Sequence, residues 1–373
     1  MNILYGVQTT GNGHLIRSQA MIRALRSYGH TVYTLFSGDP DKTLRNRKDF
    51  EPCTVKKGLT FCTEQGRLCY LKTAKRLDLP RFYADIRSFR AEGFDLVVTD
   101  YEPLTARIAQ RWSIPSIGIG HLYAFDHSVP LAAGCLPGSR TIMGRFAPVD
   151  IPLGLHWHHF DQPILPPTIP DDVFGPDQAD PNTILVYLPF ENLRSVTGLL
   201  KRFPDYRFRI YSRCTHPDRG ANLELRPLSR DGFLADLANC GGVLCNAGFS
   251  LVSEALHLGK KILTKPLAGQ IEQCSNAKAL QLLALGSVMH SLNHRDLATW
   301  LQQPSPPSQA YPDVIGAVAG WIHAGNWDAP QELASGLWNR QPSPRPGKVE
   351  NGRDRPRTLR SWSLKAVSRL CRL

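Results

Sequence analysis

The sequence predicts an α/β protein built from two doubly wound, Rossmann-like domains facing each other across a cleft. Three observations carry this. At 373 residues the chain exceeds what one ordinary core accommodates. Apolar strand-like runs alternate with amphipathic stretches in both halves, the pattern of β-α-β units around a parallel sheet. Between the halves lies "PILPPTIPDDVFGPDQADP", whose prolines and aspartates suit neither helix nor strand. The expected organisation is a first domain at residues 1–160, a linker at 161–182, a second domain at 183–325 and a tail at 340–373.

In chain order, "NILYGV" reads as a strand, followed by a helix from about His14 to Tyr28 with Leu15, Met21, Ile22 and Leu25 at helical spacing. "HTVYTLF" is the next strand. "FDLVVTD" is a short apolar run between turn signals, with the amphipathic helix "EPLTARIAQRW" behind it and the strand "IPSIGIG" after that. Beyond the linker the strands are "TILVYLPF", "YRFRIYS", "GGVLCN" and "KKILTKP". The intervening helices are "ENLRSVTGLLKRF", "SRDGFLADLANC", "GFSLVSEALHLG" and "QIEQCSNAKALQLLALG". "PDVIGAVAGWIHAG" reads as a closing helix.

The totals narrow the class. A hydrophobic share of 42% with 20% charged residues is that of a soluble globular protein, and no apolar run reaches the length of a membrane span. The first residues enter a strand pattern without a basic leader region, so a cytoplasmic location is expected. Nine cysteines without paired spacing suggest reduced thiols. The net charge of +12 is mostly local: residues 340–373 hold ten Lys/Arg against Glu350 and Asp354. The body is therefore not notably basic, and no specific nucleic-acid partner is expected.

Two stretches carry candidate chemistry. In "GNGHLIRS", Gly11 and Gly13 allow a tight turn from strand to helix, but Ile16 stands where a dinucleotide fingerprint needs its third glycine. His14 falls near a helix N-terminus beyond the carboxyl end of a strand, where ligands of such sheets bind, and Arg17 lies one turn on. In "GGVLCNAGFSLVSEALHLGKKILTKPLAGQIEQCSNA", a strand ends at Cys245–Asn246 and small residues lead into a helix. Exposed amides at such a start can hold a diphosphate. Glu254 follows two turns later, and a second turn presents Gln270, Glu272 and Gln273, groups suited to sugar hydroxyls.

The order and spacing of this second stretch resemble the nucleotide-sugar region of two-domain (GT-B) glycosyltransferases, especially those similar to MurG, the lipid II synthase of peptidoglycan. The matching positions are Gly248-Phe249-Ser250, Glu254, Gly259-Lys260, Pro266, Glu272-Gln273 and Asn276-Ala277. "GNGHLIRS" resembles the first glycine-rich loop of that family, with His14 at the family histidine, and "DLVVTDYEP" resembles its acceptor-domain strand. The resemblance runs over about residues 1–300.

It implies a nucleotide-diphosphate sugar, with a uridine donor first in line, bound by Gly248, Phe249 and Ser250 at the diphosphate and Glu254 at the ribose, with Gly13 and Asn246 also in the donor site. Glu272 and Gln273, with Gln270, would meet the sugar, and backbone around Arg226 and Leu228 the base. The chain departs from the family in the loop "LPFEN", usually rich in Gly and Ser, and at Asn246-Ala247. Retaining relatives carry two glutamates eight positions apart, whereas this chain has Asn246 and Glu254, which favours inversion. The base is then His14 or Asp100. Asp100 could equally orient His14 or cap the following helix. No metal and no other cofactor is expected. The competing readings are a nucleotide-sugar 2-epimerase using Asp100, Glu102 and Glu272, and a non-catalytic nucleotide-sugar-binding protein.

In the tail, "LRSWSLKAVSRLCRL" aligns Leu359, Trp362, Ala366, Val367, Leu370 and Leu373 on one side of a helix, beside Lys365, Arg369 and Arg372. A basic amphipathic segment of this kind suits an anionic membrane surface. It points to a peripheral location on the cytoplasmic membrane face and to a lipid-linked acceptor.

Overall fold

The computed structural model describes residues 1–9, 12–38, 48–59, 63–64, 67–68, 78–132, 139–173, 179–214 and 218–339. The amphipathic segment at 359–373 and Gly11 lie outside the described residues.

The first sheet is built from β1 (Asn2–Gln8), β2 (Thr31–Ser37), β3 (Cys53–Lys56), β6 (Leu96–Asp100), β7 (Ser116–Gly120) and β8 (Ile151–Gly154). A two-residue antiparallel pair, β4 (Thr63–Glu64) and β5 (Arg67–Leu68), stands apart. The sheet order is β3-β2-β1-β6-β7-β8, with every pairing parallel. β1 is buried from Ile3 to Gln8, and all of β6 and β7 is buried. Helices cover both faces of these strands, which is why they read as continuous apolar runs without alternation.

Helices α1 (Asn12–Ser27), α2 (Leu79–Ser88), α3 (Pro103–Trp112) and α4 (Ser139–Phe146) flank the sheet, and a short 3-10 helix runs His121–Asp126. The start of α3 is fixed by sequence. Pro103 fits its first turn, and Glu102 accepts from Leu104 N at 2.6 Å and Thr105 N at 2.7 Å. Glu102 is therefore the cap, which leaves Asp100 free for another task. Gly6 is required because a Cβ there would collide with Thr105 of α3.

The second sheet has the order β11-β12-β10-β9-β13-β14-β15. Its strands are β9 (Asp180–Tyr187), β10 (Arg207–Ser212), β11 (Asp218–Arg219), β12 (Leu223–Pro227), β13 (Cys240–Cys245), β14 (Lys261–Thr264) and β15 (Ser287–Val288). All pair in parallel except β11 with β12. The helices are α5 (Leu193–Leu200), α6 (Arg230–Asn239), α7 (Phe249–His257), α8 (Ile271–Leu282) and α9 (His294–Leu301). The chain thus forms two Rossmann-like domains.

Two last helices, α10 (Val314–Ala324) and α11 (Pro330–Trp338), turn back to the first domain. α10 packs on α1, with His323 stacked on Tyr28 at 4.9 Å, and Trp338 Nε1 donates to the Ile164 carbonyl at 2.6 Å. The proline-rich connection is not loose at its start. Ile164 and Leu165 are fully buried, and Leu165 bridges Leu155 in parallel.

Candidate active site

In an open parallel sheet, ligands collect at the carboxyl ends of strands where the order reverses. In the first sheet that point lies between β1 and β6, which run to β2 and β7 on opposite sides. α1 leaves β1 and presents His14. Asp100 is the last residue of β6, directly beside Val7 of β1. The two meet: His14 Nδ1 stands 3.2 Å from Asp100 Oδ1, with the His14 side chain 26% exposed and Asp100 fully buried. Arg17 Nη2 reaches the same Oδ1 at 2.5 Å, and Ser18 Oγ donates to Oδ2 at 3.2 Å. Burial alone would raise the Asp100 carboxyl. The Arg17 and His14 charges outweigh it and hold the group below its ordinary value, ionised.

The second sheet reverses between β9 and β13. α7 leaves β13 there, capped by Gly248 without any side-chain hydrogen bond. No side chain of the described residues caps its first-turn amides, the kind of helix start that can receive an anion. Gly13 and Ser250 come together across the cleft: a Cβ at Gly13 would be driven into the Ser250 side chain. The first turn of α1, which bears Gly13 and His14, and the start of α7 thus confront one another directly.

The donor candidates divide by what their side chains do. Ser250 is half-buried at the first turn of α7. Phe249 is buried, its ring stacked on His121 of the first domain at 4.0 Å and 3° and on Trp157 at 5.2 Å. Any contact of Phe249 with a diphosphate is therefore through its backbone. Glu254 is buried within α7 and meets Arg230 Nη1 at 3.4 Å, while Arg230 also holds Asp172 at 3.0 Å. Burial pushes the Glu254 carboxyl up to about 7, with Arg230 pulling it back and Asp172 adding to the rise.

Asn246 Nδ2 donates to the Lys265 carbonyl at 2.8 Å and fixes the loop before α7. Gln270 caps α8 by accepting from Gln273 N at 2.5 Å, and its amide donates to Glu272 Oε2 at 3.2 Å. Gln273 is buried, its Oε1 accepting from Leu267 N at 2.9 Å, so it shapes the turn. Glu272 is half-buried and looks across to the first domain, where its charge bears on Arg17, Tyr101 and His121. Arg226 is tied sideways to Glu224 at 3.1 Å and Asp236 at 3.2 Å, so its guanidinium is engaged within the domain. Leu228, just after β12, is 38% exposed at the carboxyl edge, as are Phe190 and Leu193 after β9 at 36% and 39%. Among the described residues no group of three or more His, Cys, Asp or Glu could hold a metal ion.

Several residues that shape the site carry no sequence signal. Trp157 Nε1 donates to Ser253 Oγ at 2.8 Å, and His121 Nε2 sits 2.6 Å from Asn276 Oδ1, both joining one domain to the other. Burial lowers the His121 pKa, so its ring serves the interface in neutral form. Arg230 and Asp172 likewise come from segments remote from Glu254. A lone histidine in "GHLYAFD" or an aspartate in a proline-rich run offers no pattern to find.

Two facing Rossmann-like domains, each with its switch point on the shared cleft, define the GT-B class of glycosyltransferases. The chain belongs to glycosyl transferase family 1, whose model matches residues 1–133 and 158–304. None of the curated proteins matches it. Among solved structures it is similar to the glycotransferase of kitacinnamycin, with a TM-score of 0.58 and 16% identity over 91% of this chain and 99% of that one. SsfS6 of Streptomyces sp. SF2575, complexed with thymidine diphosphate, aligns at 0.52 and 13% identity over 92% and 97%. The MurG of Acinetobacter baumannii aligns at 0.49 and 16% identity over 89% and 93%. The chain is a glycosyltransferase, and at these identities the likeness to the kitacinnamycin enzyme and SsfS6 is one of fold.

Proposed function

We propose that the protein transfers a sugar, with inversion, from a uridine diphosphate sugar to an acceptor hydroxyl, His14 serving as base and Asp100 as its orienting partner. The observation that carries this reading is the His14–Asp100 pair at the first switch point, set against the uncapped start of α7 at the second. Asp100 Oδ1 accepts a hydrogen bond from the Nδ1–H of His14, which leaves the lone pair on Nε2 for the acceptor hydroxyl. As that proton moves to His14, the acceptor oxygen bonds to the anomeric carbon. The bond from that carbon to the diphosphate oxygen breaks, and the nucleoside diphosphate leaves with the electron pair. The amides of the first turn of α7 meet the charge that develops on it.

Asp100 is ill-suited to be the base itself, being fully buried and held ionised by Arg17. The α7 dipole supplies the electrostatic help, so we propose that no metal is required. Glu254 on the ribose, Glu272 on the sugar and the backbone around Leu228 at the base complete the donor site. Thymidine diphosphate, the ligand of SsfS6, is the competing base to test. For the acceptor we propose a lipid-linked glycan met on the cytoplasmic face of a membrane, on the strength of the pattern at 359–373.

The test is incubation of the purified protein with labelled uridine and thymidine diphosphate sugars in the presence of chelator. Transfer to an added lipid-linked or soluble hydroxyl acceptor, or slow release of inverted sugar, is expected. Formation of an epimer, or binding without turnover, would contradict the proposal, as would activity abolished by chelator and restored by a divalent metal.

A further inference from the structure

Arg17 touches no reacting atom in the transfer just described, yet it is buried against both members of the pair. Its Nη2 lies 2.5 Å from Asp100 Oδ1, the oxygen that His14 Nδ1 approaches at 3.2 Å, and 3.3 Å from that Nδ1. Only 7% of the residue is exposed, and among the described residues its buried Nε has no hydrogen-bond partner. A guanidinium placed this way does more than fill space, because it shares a single carboxylate oxygen with the imidazole.

We propose that Arg17 is a positioning residue: a fixed cation that shares an Asp100 oxygen with the imidazole, it orients the carboxylate and offsets its pull on a proton at His14, so that His14 remains a free base at lower pH than a bare histidine–aspartate pair would allow. The proposal rests on the reading of His14 as base. A carboxylate beside an imidazole favours the imidazolium, and a nearby fixed cation opposes it; each effect is worth about 1–3 pH units at such distances. With Arg17 present, the unprotonated cluster is neutral. Without it, the pair carries a net negative charge and takes up its first proton at higher pH, whichever member holds that proton.

The surrounding groups leave this arrangement in control of the working range. Tyr5 on β1 and Tyr123 on the 3-10 helix are kept protonated by burial, with the Asp100 charge adding to the effect. His121, from the same 3-10 helix, is kept neutral by burial. Glu272 on α8 adds its negative charge on the side of Arg17. Arg17 itself stays charged: burial acts against the cation, and Asp100 more than compensates.

The test is the pH dependence of kcat/KM in full-length wild type, Arg17→Met and Arg17→Lys. In Arg17→Met the acid limb should move up by about one pH unit or more, with most of the lost rate recovered on the alkaline side. Arg17→Lys, which retains the charge, should keep its limb near the wild-type position. Should Arg17→Met fail to fold, Arg17→Gln carries the same expectation. A uniform loss of rate at every pH with the limb unmoved would overturn the proposal and leave Arg17 as packing. His14→Ala separates the two readings. Wild-type turnover in that variant removes the base itself, whereas an inactive His14→Ala beside an unmoved Arg17→Met limb removes only the role of Arg17.

Discussion

Asp100 and Glu254 are both buried carboxyls at strand-end crevices, and their neighbours drive them in opposite directions. Asp100 has a guanidinium at 2.5 Å and is held ionised, whereas Glu254 meets Arg230 only at 3.4 Å and burial wins. The first case makes a fixed orienting charge. Asp100→Asn keeps the shape but removes that charge, and a drop in kcat of about 10²–10⁴-fold is expected from steady-state kinetics. Donor affinity should change little, so a variant with normal kcat and weakened donor binding would contradict the assigned role.

The second case gives a pH dependence of binding. With its carboxyl raised to about 7, Glu254 is protonated below that pH and ionised above it. Ribose hydroxyls donate best to the carboxylate, so affinity for a uridine diphosphate sugar should rise as pH rises through about 7. Calorimetric titration at either side of that pH checks this. Glu254→Gln should weaken binding and flatten the dependence, and equal affinity on both sides in wild type would remove Glu254 from the ribose.

Helix α7 is the element on which both domains depend. Its first turn faces the cleft, while Phe249 and Ser253 on the same helix are anchored to His121 and Trp157 of the first domain. Phe249→Ala should therefore cost about 3–5 kcal/mol of stability in denaturant unfolding, and Phe249→Leu markedly less. A near-neutral Phe249→Ala would mean that the stack does not hold the domains together.

The strands of this site were legible because they are central. β6, β7 and β13 are covered on both faces and so appear as unbroken apolar runs between turn residues. Asp100 could be found because it ends such a run, and His14 because it stands in the first turn of the helix that follows β1. Other elements escaped for local reasons. β8 has four residues with a proline among them, and α11 begins on a proline and contains Gly336. The 3-10 helix at His121–Asp126 is too short to show a period. The contacts of Arg230 with Asp172 and of Trp157 with Ser253 join segments separated by 58 and 96 positions, which no local pattern records. Phe249 was expected at the diphosphate; its ring instead answers to the interface, a tertiary demand that spacing alone does not express.

On the scale of the whole molecule, the chain folds as two domains and then returns, with α10 and α11 packed on the first. No described helix is long and apolar enough to cross a membrane, and peripheral binding needs no such helix. The basic amphipathic pattern at 359–373 is the candidate. Full-length protein should co-sediment with anionic liposomes at low salt, and a version ending at Asn339 should not. Equal binding by both, or by neither, would remove the tail from the account.

The central claim is direct displacement by an acceptor activated at His14. Proton NMR of the transfer product, started from a donor of known anomeric configuration, reads that claim most directly. The account predicts product of the opposite anomeric configuration from the first turnover, and none from His14→Ala under the same conditions. Product with the donor's configuration, or undiminished product from His14→Ala, would contradict it.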